Sequence, residues 1–100
     1  MQTIRLVQVG LGNLGRRLCQ VLEDKASYLR QRYGLDLVLV GAADSRGAAY
    51  DPVDGLNPGQ VAALKADGRS ISEYPAVGRR DWLAPALIAT AQADVLLEAS

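Results

Sequence analysis

The chain has 100 residues, of which 49% are hydrophobic and 22% are charged, and its 11 basic residues balance its 11 acidic residues. This composition is typical of one small globular domain, and the scattered basic residues exclude the charged surface by which proteins bind nucleic acids or anionic membranes. A single cysteine, Cys19, excludes an internal disulfide framework. The chain has no histidine, and we expect no metal site. We also expect a cytoplasmic location.

The first half of the chain predicts a strand, a long helix and a second strand. The run of branched aliphatic residues at 4–9 predicts a strand buried on both faces, which ends at a cluster of glycines. Apolar residues then recur at steps of three and four, which predicts an amphipathic helix ending at Gly34. Its predicted buried stripe consists of Leu14, Leu18, Leu22, Ala26, Leu29 and Tyr33. A second apolar run at 37–43 predicts the next strand, which closes at Asp44.

The second half is divided by prolines, glycines and capping residues. The predicted elements are a loop at 44–58, a helix at 59–67 capped by Asn57, a short strand at 70–74, a helix at 83–92 capped by Asp81, and a strand at 94–98.

Strands that alternate with helices predict an α/β fold, with a Rossmann-like doubly wound parallel sheet. Three or four strands supply the N-terminal half only, because the full fold has about six. The chain also ends directly after its last predicted strand. We therefore expect residues 1–100 to be one half of a larger doubly wound domain.

The motif that carries chemistry is a glycine-rich turn between the first strand and the first helix. It reads Gly10-Leu11-Gly12-Asn13-Leu14-Gly15, the spacing G-x-G-x-x-G. In such a turn the first glycine permits a tight bend, the second lets the backbone approach a pyrophosphate, and the third lets the helix pack closely on the strand. The helix N-terminus also attracts anions. A tight turn without a binding role is the alternative. The strand before the motif and the helix after it favour a binding site for NAD or NADP.

Asp44 follows the second strand, where an acidic residue accepts hydrogen bonds from the adenosine ribose. It lies farther from the glycines than the usual gap of about 20 residues, because the helix is long. A turn-forming aspartate is the alternative. Arg46 stands where a 2′-phosphate would be met, with a solvated loop arginine as the alternative. Because a carboxylate repels a 2′-phosphate, we expect NAD to be accepted at least as well as NADP. Arg46 would partly offset that repulsion, so the use of both cofactors stays open.

The order of these motifs resembles homoserine dehydrogenase. The resemblance rests on the glycine turn followed by Arg16-Arg17, on the long helix followed by Ala43-Asp44-Ser45-Arg46-Gly47, and on the closing segment from Ala93 to Ser100. It implies an NAD(P)-dependent oxidoreductase that interconverts homoserine and aspartate 4-semialdehyde in threonine and methionine biosynthesis. It also implies that residues 1–100 are a partial NAD(P)-binding Rossmann domain, with the catalytic and substrate domain absent from this chain. The parent protein is then expected to be a homo-oligomer that binds its small-molecule substrate through that absent domain.

By this resemblance the cofactor-binding residues are Gly10, Leu11, Gly12, Asn13, Leu14, Gly15, Asp44, Ser45, Arg46, Ala99 and Ser100. The catalytic lysine of the family would lie beyond this chain, so we expect no catalytic residue here. The two lysines present, Lys25 and Lys65, are assigned to a helix surface and to a small helix, both away from the strand ends, and neither matches that role. Two other interpretations remain open: a different semialdehyde or amino-acid dehydrogenase, and a regulatory Rossmann module that senses a nucleotide without chemistry.

Overall fold

Strands and helices alternate along residues 1–99, which are the residues described by the computed structural model. The elements are, in chain order, β1 (Gln2–Val9), α1 (Asn13–Tyr33), β2 (Leu35–Asp44), β3 (Gly47–Tyr50), α2 (Pro58–Ala66), a 3₁₀ turn (Ile71–Glu73), β4 (Gly78–Arg79), α3 (Ala84–Thr90) and β5 (Val95–Glu98). Within this part of the chain, no helix combines the length and the apolar character needed to span a membrane.

The strands form one sheet in the order β4-β3-β2-β1-β5. β1 pairs in parallel with β2 on one side and with β5 on the other. β3 and β4 extend the sheet by antiparallel pairing, which was not predicted. Because the carboxyl ends of the three parallel strands meet at one edge, the glycine turn, Asp44 and Ala99 come together there. The predicted Rossmann-like α/β fold is confirmed.

The hydrophobic core lies on both faces of this sheet. On one face, Leu6 packs with Cys19 of α1 and Val61 of α2. On the other face, Val7 packs with Leu87 of α3. Leu6 and Val7 are neighbours on β1 whose side chains point to opposite faces, as the pleat of a strand requires. Each fully buried aliphatic side chain of this kind contributes about 1.5–3 kcal/mol.

The residues that α1 buries differ from the predicted buried stripe at both ends of the helix. The fully buried residues are Gly15 and Cys19, whereas Leu14 and Tyr33 are 60% and 59% exposed. Successive helical residues are rotated by about 100°, so packing Gly15 against the glycine turn directs Leu14 away from the sheet. The central residues of the stripe are partly buried, and the helix ends at Gly34 with a left-handed φ of 64°. The helix is therefore confirmed, and its stripe is wrong at the two ends.

The loop predicted at 44–58 is wrong in its first part, which contains β3. Ser45 and Arg46 form a two-residue hairpin turn, and the pair Asp44 and Gly47 closes it. β3 then returns antiparallel to β2 through small residues that are fully buried. Gly47, Pro52, Gly55 and Pro58 interrupt any regular pattern in this segment, so its short antiparallel strand was not recognised.

Two predictions after residue 69 are also corrected. The strand predicted at 70–74 is a 3₁₀ turn, because Ser70 and Glu73 form a reciprocal capping box at its start. α3 begins with Leu83 as its N-cap, so Asp81 does not cap it. A proline is tolerated only in the first helical turn, and Pro85 therefore fixes the start of this helix. The helix α2 with its Asn57 cap and the last strand are confirmed.

Candidate cofactor site

The three glycines of the turn have different geometries. Gly10 has a φ of 97°, a conformation that glycine adopts without strain, and its N–H donates to the carbonyl oxygen of Ala43 at 3.0 Å. A Cβ at Gly15 would collide with the carbonyl oxygen of Gly10, so only glycine lets α1 approach β1 this closely. A Cβ at Gly12 would meet no atom within 4 Å. Gly15 is therefore required by the fold, whereas Gly12 leaves open space beside the helix N-terminus.

Gln8, on β1, ties the glycine turn to the helix. Its side chain is fully buried, and its Nε2 donates to the carbonyl oxygens of Gly10 at 3.2 Å and Gly15 at 2.9 Å. Its Oε1 accepts from the Sγ of Cys19 at 3.7 Å. Gln8 was not among the predicted site residues. A glutamine between two valines in a buried strand was the available signal, because a buried polar group needs partners.

We expect Gln8→Leu to destabilise the protein by about 1–3 kcal/mol, because the Gly10 carbonyl oxygen loses its partner inside the fold. Urea unfolding followed by circular dichroism measures this loss. Gln20→Leu is the matched control, since Gln20 is exposed on α1 and its side chain donates to the exposed Asp24. Its effect should stay within about 0.5 kcal/mol. Equal losses in the two variants would contradict a structural role for Gln8.

Cys19 is a core residue. Burial raises the pKa of its thiol to about 11, and the hydrogen bond with Gln8 only partly opposes that shift. The side chain is therefore a neutral thiol at physiological pH, which excludes a nucleophilic role.

The N-terminus of α1 is suited to an anion. Its N-cap, Gly12, offers no side-chain hydrogen bond, and the first turn contains no acidic residue. The N–H groups of this turn and the positive end of a 21-residue helix are thus available to a negative ligand.

A cleft of about 690 Å³ lies at this edge of the sheet, within the usual range of about 300–1,000 Å³ for small-molecule sites. It is lined by Val9, Gly10, Leu11, Gly12, Asn13, Leu14, Ala43, Asp44, Ser45, Lys65 and Ala99. Ala99 is fixed by its N–H, which donates to the carbonyl oxygen of Val9 at 2.8 Å.

The cleft brings together most of the predicted cofactor-binding residues. Gly15 lies behind the turn, where it supports the fold instead of the cleft wall. Arg46 is absent from the lining of this cleft, and its Nη2 donates to the carbonyl oxygen of Gly68 at 3.3 Å. Ser100 lies outside the described residues. The binding roles of all these residues stay predictions.

Asp44 is held by four groups of the protein itself. Its Oδ2 accepts from Lys65 Nζ at 2.9 Å and from the Ile71 N–H at 2.7 Å. Its Oδ1 accepts from the Arg46 N–H at 2.8 Å and from Ser70 Oγ at 3.2 Å. A carboxylate has about four acceptor positions, so these contacts occupy it. The predicted ribose contact stays a prediction, but a ribose hydroxyl would have to share or replace one of these donors.

Lys65 lies on a small helix, as predicted, but the prediction that it lies away from the strand ends is wrong. Its Nζ donates to the carboxylate of Asp44 at the end of β2, and the residue lines the cleft. The side chains of Lys65 and Asp44 are only 14% and 6% exposed. The lone lysine in the small apolar run Val61–Ala66 was the signal that could have indicated a special position. Lys25, by contrast, is exposed on α1 beside the ring of Tyr28.

Asp44 should make the protein sensitive to acid. Burial acts to raise the pKa of this carboxyl, but hydrogen bonds from Lys65, Ile71 and Arg46 outweigh it and hold the pKa below its ordinary value of 3.8. A lowered folded-state pKa contributes stability above the unfolded-state pKa, and that stability is lost as pH falls through the folded-state pKa. We expect the urea concentration at the midpoint of unfolding to decrease when the pH is lowered below about 4. Asp44→Asn should be less stable at neutral pH, with a flatter acid limb; an identical pH profile in both proteins would contradict this account.

Comparison with known proteins gives two curated relatives. No protein-family profile matches the chain. A homoserine dehydrogenase from Methanocaldococcus jannaschii is 34% identical over 93 residues, which are 93% of this chain and 27% of that protein. An NAD(+)-dependent homoserine dehydrogenase from Pseudomonas canavaninivorans is 28% identical over 100 residues, which are 100% of this chain and 28% of that protein. The chain thus spans little more than a quarter of the length of these relatives.

Solved structures show the same fold. A hyperthermophilic archaeal homoserine dehydrogenase in complex with NADPH superposes with a TM-score of 0.76 at 17% identity, covering 99% of this chain and 29% of that one. Homoserine dehydrogenase from Thermoplasma acidophilum superposes with a TM-score of 0.67 at 23% identity, covering 99% of this chain and 27% of that one. Over this part of their length, the chain is similar in sequence to homoserine dehydrogenases, and it has the Rossmann-like fold found in them.

Proposed function

We propose that this chain is the dinucleotide-binding part of an NAD(P)-dependent homoserine dehydrogenase, an oxidoreductase of threonine and methionine biosynthesis. The observation that carries the proposal is the open space at Gly12, beside an uncapped helix N-terminus and inside the cleft. A pyrophosphate is an anion that fits such a position. Of the relatives, one is named NAD(+)-dependent and one was solved with NADPH, which supports a dehydrogenase over a nucleotide-sensing module.

The proposed roles follow the order of the residues along the cleft. The N–H groups at the start of α1, from Gly12 to Leu14, would hold the pyrophosphate. Leu11 and Ala99 would form the apolar wall towards the nicotinamide, where Ser100 is also expected. Asp44 and Ser45 would meet the adenosine ribose. When bound, the nicotinamide supplies the hydride chemistry, and this chain's own residues bind and orient the dinucleotide.

The ion pair between Asp44 and Lys65 changes the expected cofactor preference. NAD was expected to be preferred because a free Asp44 carboxylate would repel a 2′-phosphate. In the structure, the Lys65 ammonium group lies 2.9 Å from this carboxylate and compensates its charge. Lys65 lines the cleft beside Ser45, so it places positive charge at the ribose end. We therefore propose that the protein accepts both cofactors and binds NADPH more tightly than NADH.

Calorimetric titration of the purified protein with NADPH and with NADH tests this proposal. We expect Lys65→Met to weaken NADPH binding by about tenfold and NADH binding by much less, because a charge-assisted contact is lost only with the phosphate. Lys25→Met is the matched control, and it should bind both cofactors as the unmodified protein does. If neither NADPH nor NADH binds, the proposal of a dinucleotide site is wrong. An equal effect of Lys65→Met on both cofactors would overturn only the assignment of Lys65.

We propose a cytoplasmic homo-oligomer that binds homoserine through a domain outside these 100 residues and contacts neither nucleic acid nor membrane. The balanced charge of the chain supports the last point.

We expect the 100-residue chain alone to show no turnover of homoserine with either cofactor. Reduction of an aldehyde needs a proton donor for the developing alkoxide, and the chain has no histidine. Lys65 is engaged by Asp44, and Lys25 lies on the exposed side of α1. The measurement is the absorbance change of the reduced nicotinamide over time. Clear turnover by the purified chain would contradict the assignment of catalysis to another domain.

A further inference from the structure

A second cavity lies in the groove between α1 and α2, which pack against each other on one face of the sheet. Its volume is about 600 Å³, within the range of about 300–1,000 Å³ for sites that hold a whole small molecule. The lining consists of Asn13, Arg16, Arg17 and Gln20 of α1, and of Gly59, Ala62, Ala63 and Ala66 of α2. Only Asn13 also lines the cofactor cleft, so the groove is a neighbouring but different cavity.

Two arginines on the α1 wall give the groove its charge. Arg16 is half-buried and Arg17 is exposed, and within residues 1–99 neither of them forms an ion pair. Arg16 Nη2 donates to Asn13 Oδ1 at 2.6 Å, which holds this guanidinium group at the wall of the groove. No acidic residue is among the described residues that line the groove. Its lining therefore carries two uncompensated positive charges.

The place of these arginines in the helix is unfavourable in the absence of a ligand. They are the fourth and fifth residues of α1, close to the positive end of the helix macrodipole, which repels cations. The first turn contains no acidic residue that would offset them. The next carboxylates along α1 are hydrogen-bonded elsewhere, Glu23 to the Gly59 N–H at 3.4 Å and Asp24 to the side chain of Gln20 at 3.0 Å. An anion in the groove would remove this unfavourable interaction.

We propose that the groove binds a short organic dicarboxylate, with one carboxylate at each guanidinium group. Consecutive helical residues are rotated by about 100°, so Arg16 and Arg17 approach the groove from different directions and suit two separated anionic groups. Guanidinium groups pair with carboxylates through two parallel hydrogen bonds. The methyl groups of Ala62, Ala63 and Ala66 form the opposite wall, against which the carbon chain between the carboxylates would pack. This site does not depend on the proposed dinucleotide function.

Calorimetric titration of the purified protein with succinate, at constant ionic strength, tests the site. We expect Arg17→Gln to weaken succinate binding by about tenfold or more, because charge-assisted hydrogen bonds are lost. Arg32→Gln is the control of equal charge change, and it should bind succinate as the unmodified protein does. Arg32 is exposed near the other end of α1 and lines neither the groove nor the cleft. Acetate, which has a single carboxylate, should bind at least about tenfold more weakly than succinate.

A thermal melt without succinate separates a binding role for Arg17 from a structural one. We expect Arg17→Gln to raise the Tm by about 1–4 °C, because a cation is removed from the positive end of the helix. A structural role predicts the opposite sign, so a lower Tm in this variant would contradict the proposal.

Titration with succinate in the presence and absence of NADPH tests whether the groove is separate from the cleft. The proposal predicts that succinate and NADPH bind together. If succinate instead competes with NADPH and with NADH alike, the two arginines contact the dinucleotide and the proposal is wrong. Succinate binding that is absent, or that is equal in the unmodified protein and Arg17→Gln, also overturns it, whether or not a dinucleotide binds to the cleft.

Discussion

Replacing Gly12 with valine is expected to weaken NADPH binding by about a hundredfold, or about 2.8 kcal/mol, while the protein stays folded. The φ of Gly12 is −73°, which other residues adopt, and a Cβ there would meet no atom of the protein. The added side chain would instead fill the space that the ligand needs beside the helix N–H groups. Loss of the N-cap glycine should cost only about 1 kcal/mol of stability. The measurements are a calorimetric titration and a thermal melt of the same sample.

Gly15→Ala is the contrasting variant, because it changes the same motif but is expected to lower the stability of the fold. A Cβ at this position would collide with the Gly10 carbonyl oxygen, and backbone on both sides leaves little room to adjust. We expect a loss of about 1–3 kcal/mol of stability, in spite of the better helix propensity of alanine. If Gly12→Val unfolds the protein and Gly15→Ala does not, the division of roles between the two glycines is wrong.

Removal of the Asp44 carboxylate is expected to have the largest effect on stability. Asp44→Ala leaves the buried Lys65 ammonium group, the Ile71 N–H and the Ser70 hydroxyl without their acceptor. Breaking a buried ion pair from one side typically costs about 3–5 kcal/mol. Urea unfolding at neutral pH measures the loss.

Asp36→Ala is the matched control for that experiment. Asp36 forms an ion pair with Arg30 at 3.0 Å, but both side chains are partly exposed. Such a pair is worth at most about 1 kcal/mol. Similar losses in Asp44→Ala and Asp36→Ala would mean that the network around Asp44 does not stabilise the native state.

The features that the sequence predicted well are governed by local chemistry. A continuous apolar run, a glycine turn and a three-four periodicity are all properties of neighbouring residues, and they were sufficient to place β1, the turn and α1. The requirement for glycine at positions 10 and 15 likewise follows from the turn itself. The same holds for α2, whose Asn57 cap and Pro58 are adjacent in the chain.

One feature that was missed, the contact between Lys65 and Asp44, depends on how distant elements pack. The two residues are 21 positions apart, and they meet because the fold brings α2, which packs against α1, close to the end of β2. No local pattern specified this contact. The hairpin of β2 and β3 is local, but it was missed because its turn, Ser45–Arg46, lacks the usual asparagine–glycine signal. The Asp44 side chain supports this turn by accepting from the Arg46 N–H at 2.8 Å.

The most direct test of the cofactor site is a titration of the ¹⁵N-labelled protein with NADPH, followed by NMR chemical shifts of the backbone N–H groups. The account predicts that the largest changes fall on residues 10–15, with further changes at Ser45 and Lys65. It also predicts small changes at β4 and on the exposed side of α1, for example at Lys25. The contradicting result is saturable binding whose largest changes lie away from the glycine turn, since the pyrophosphate would then bind elsewhere.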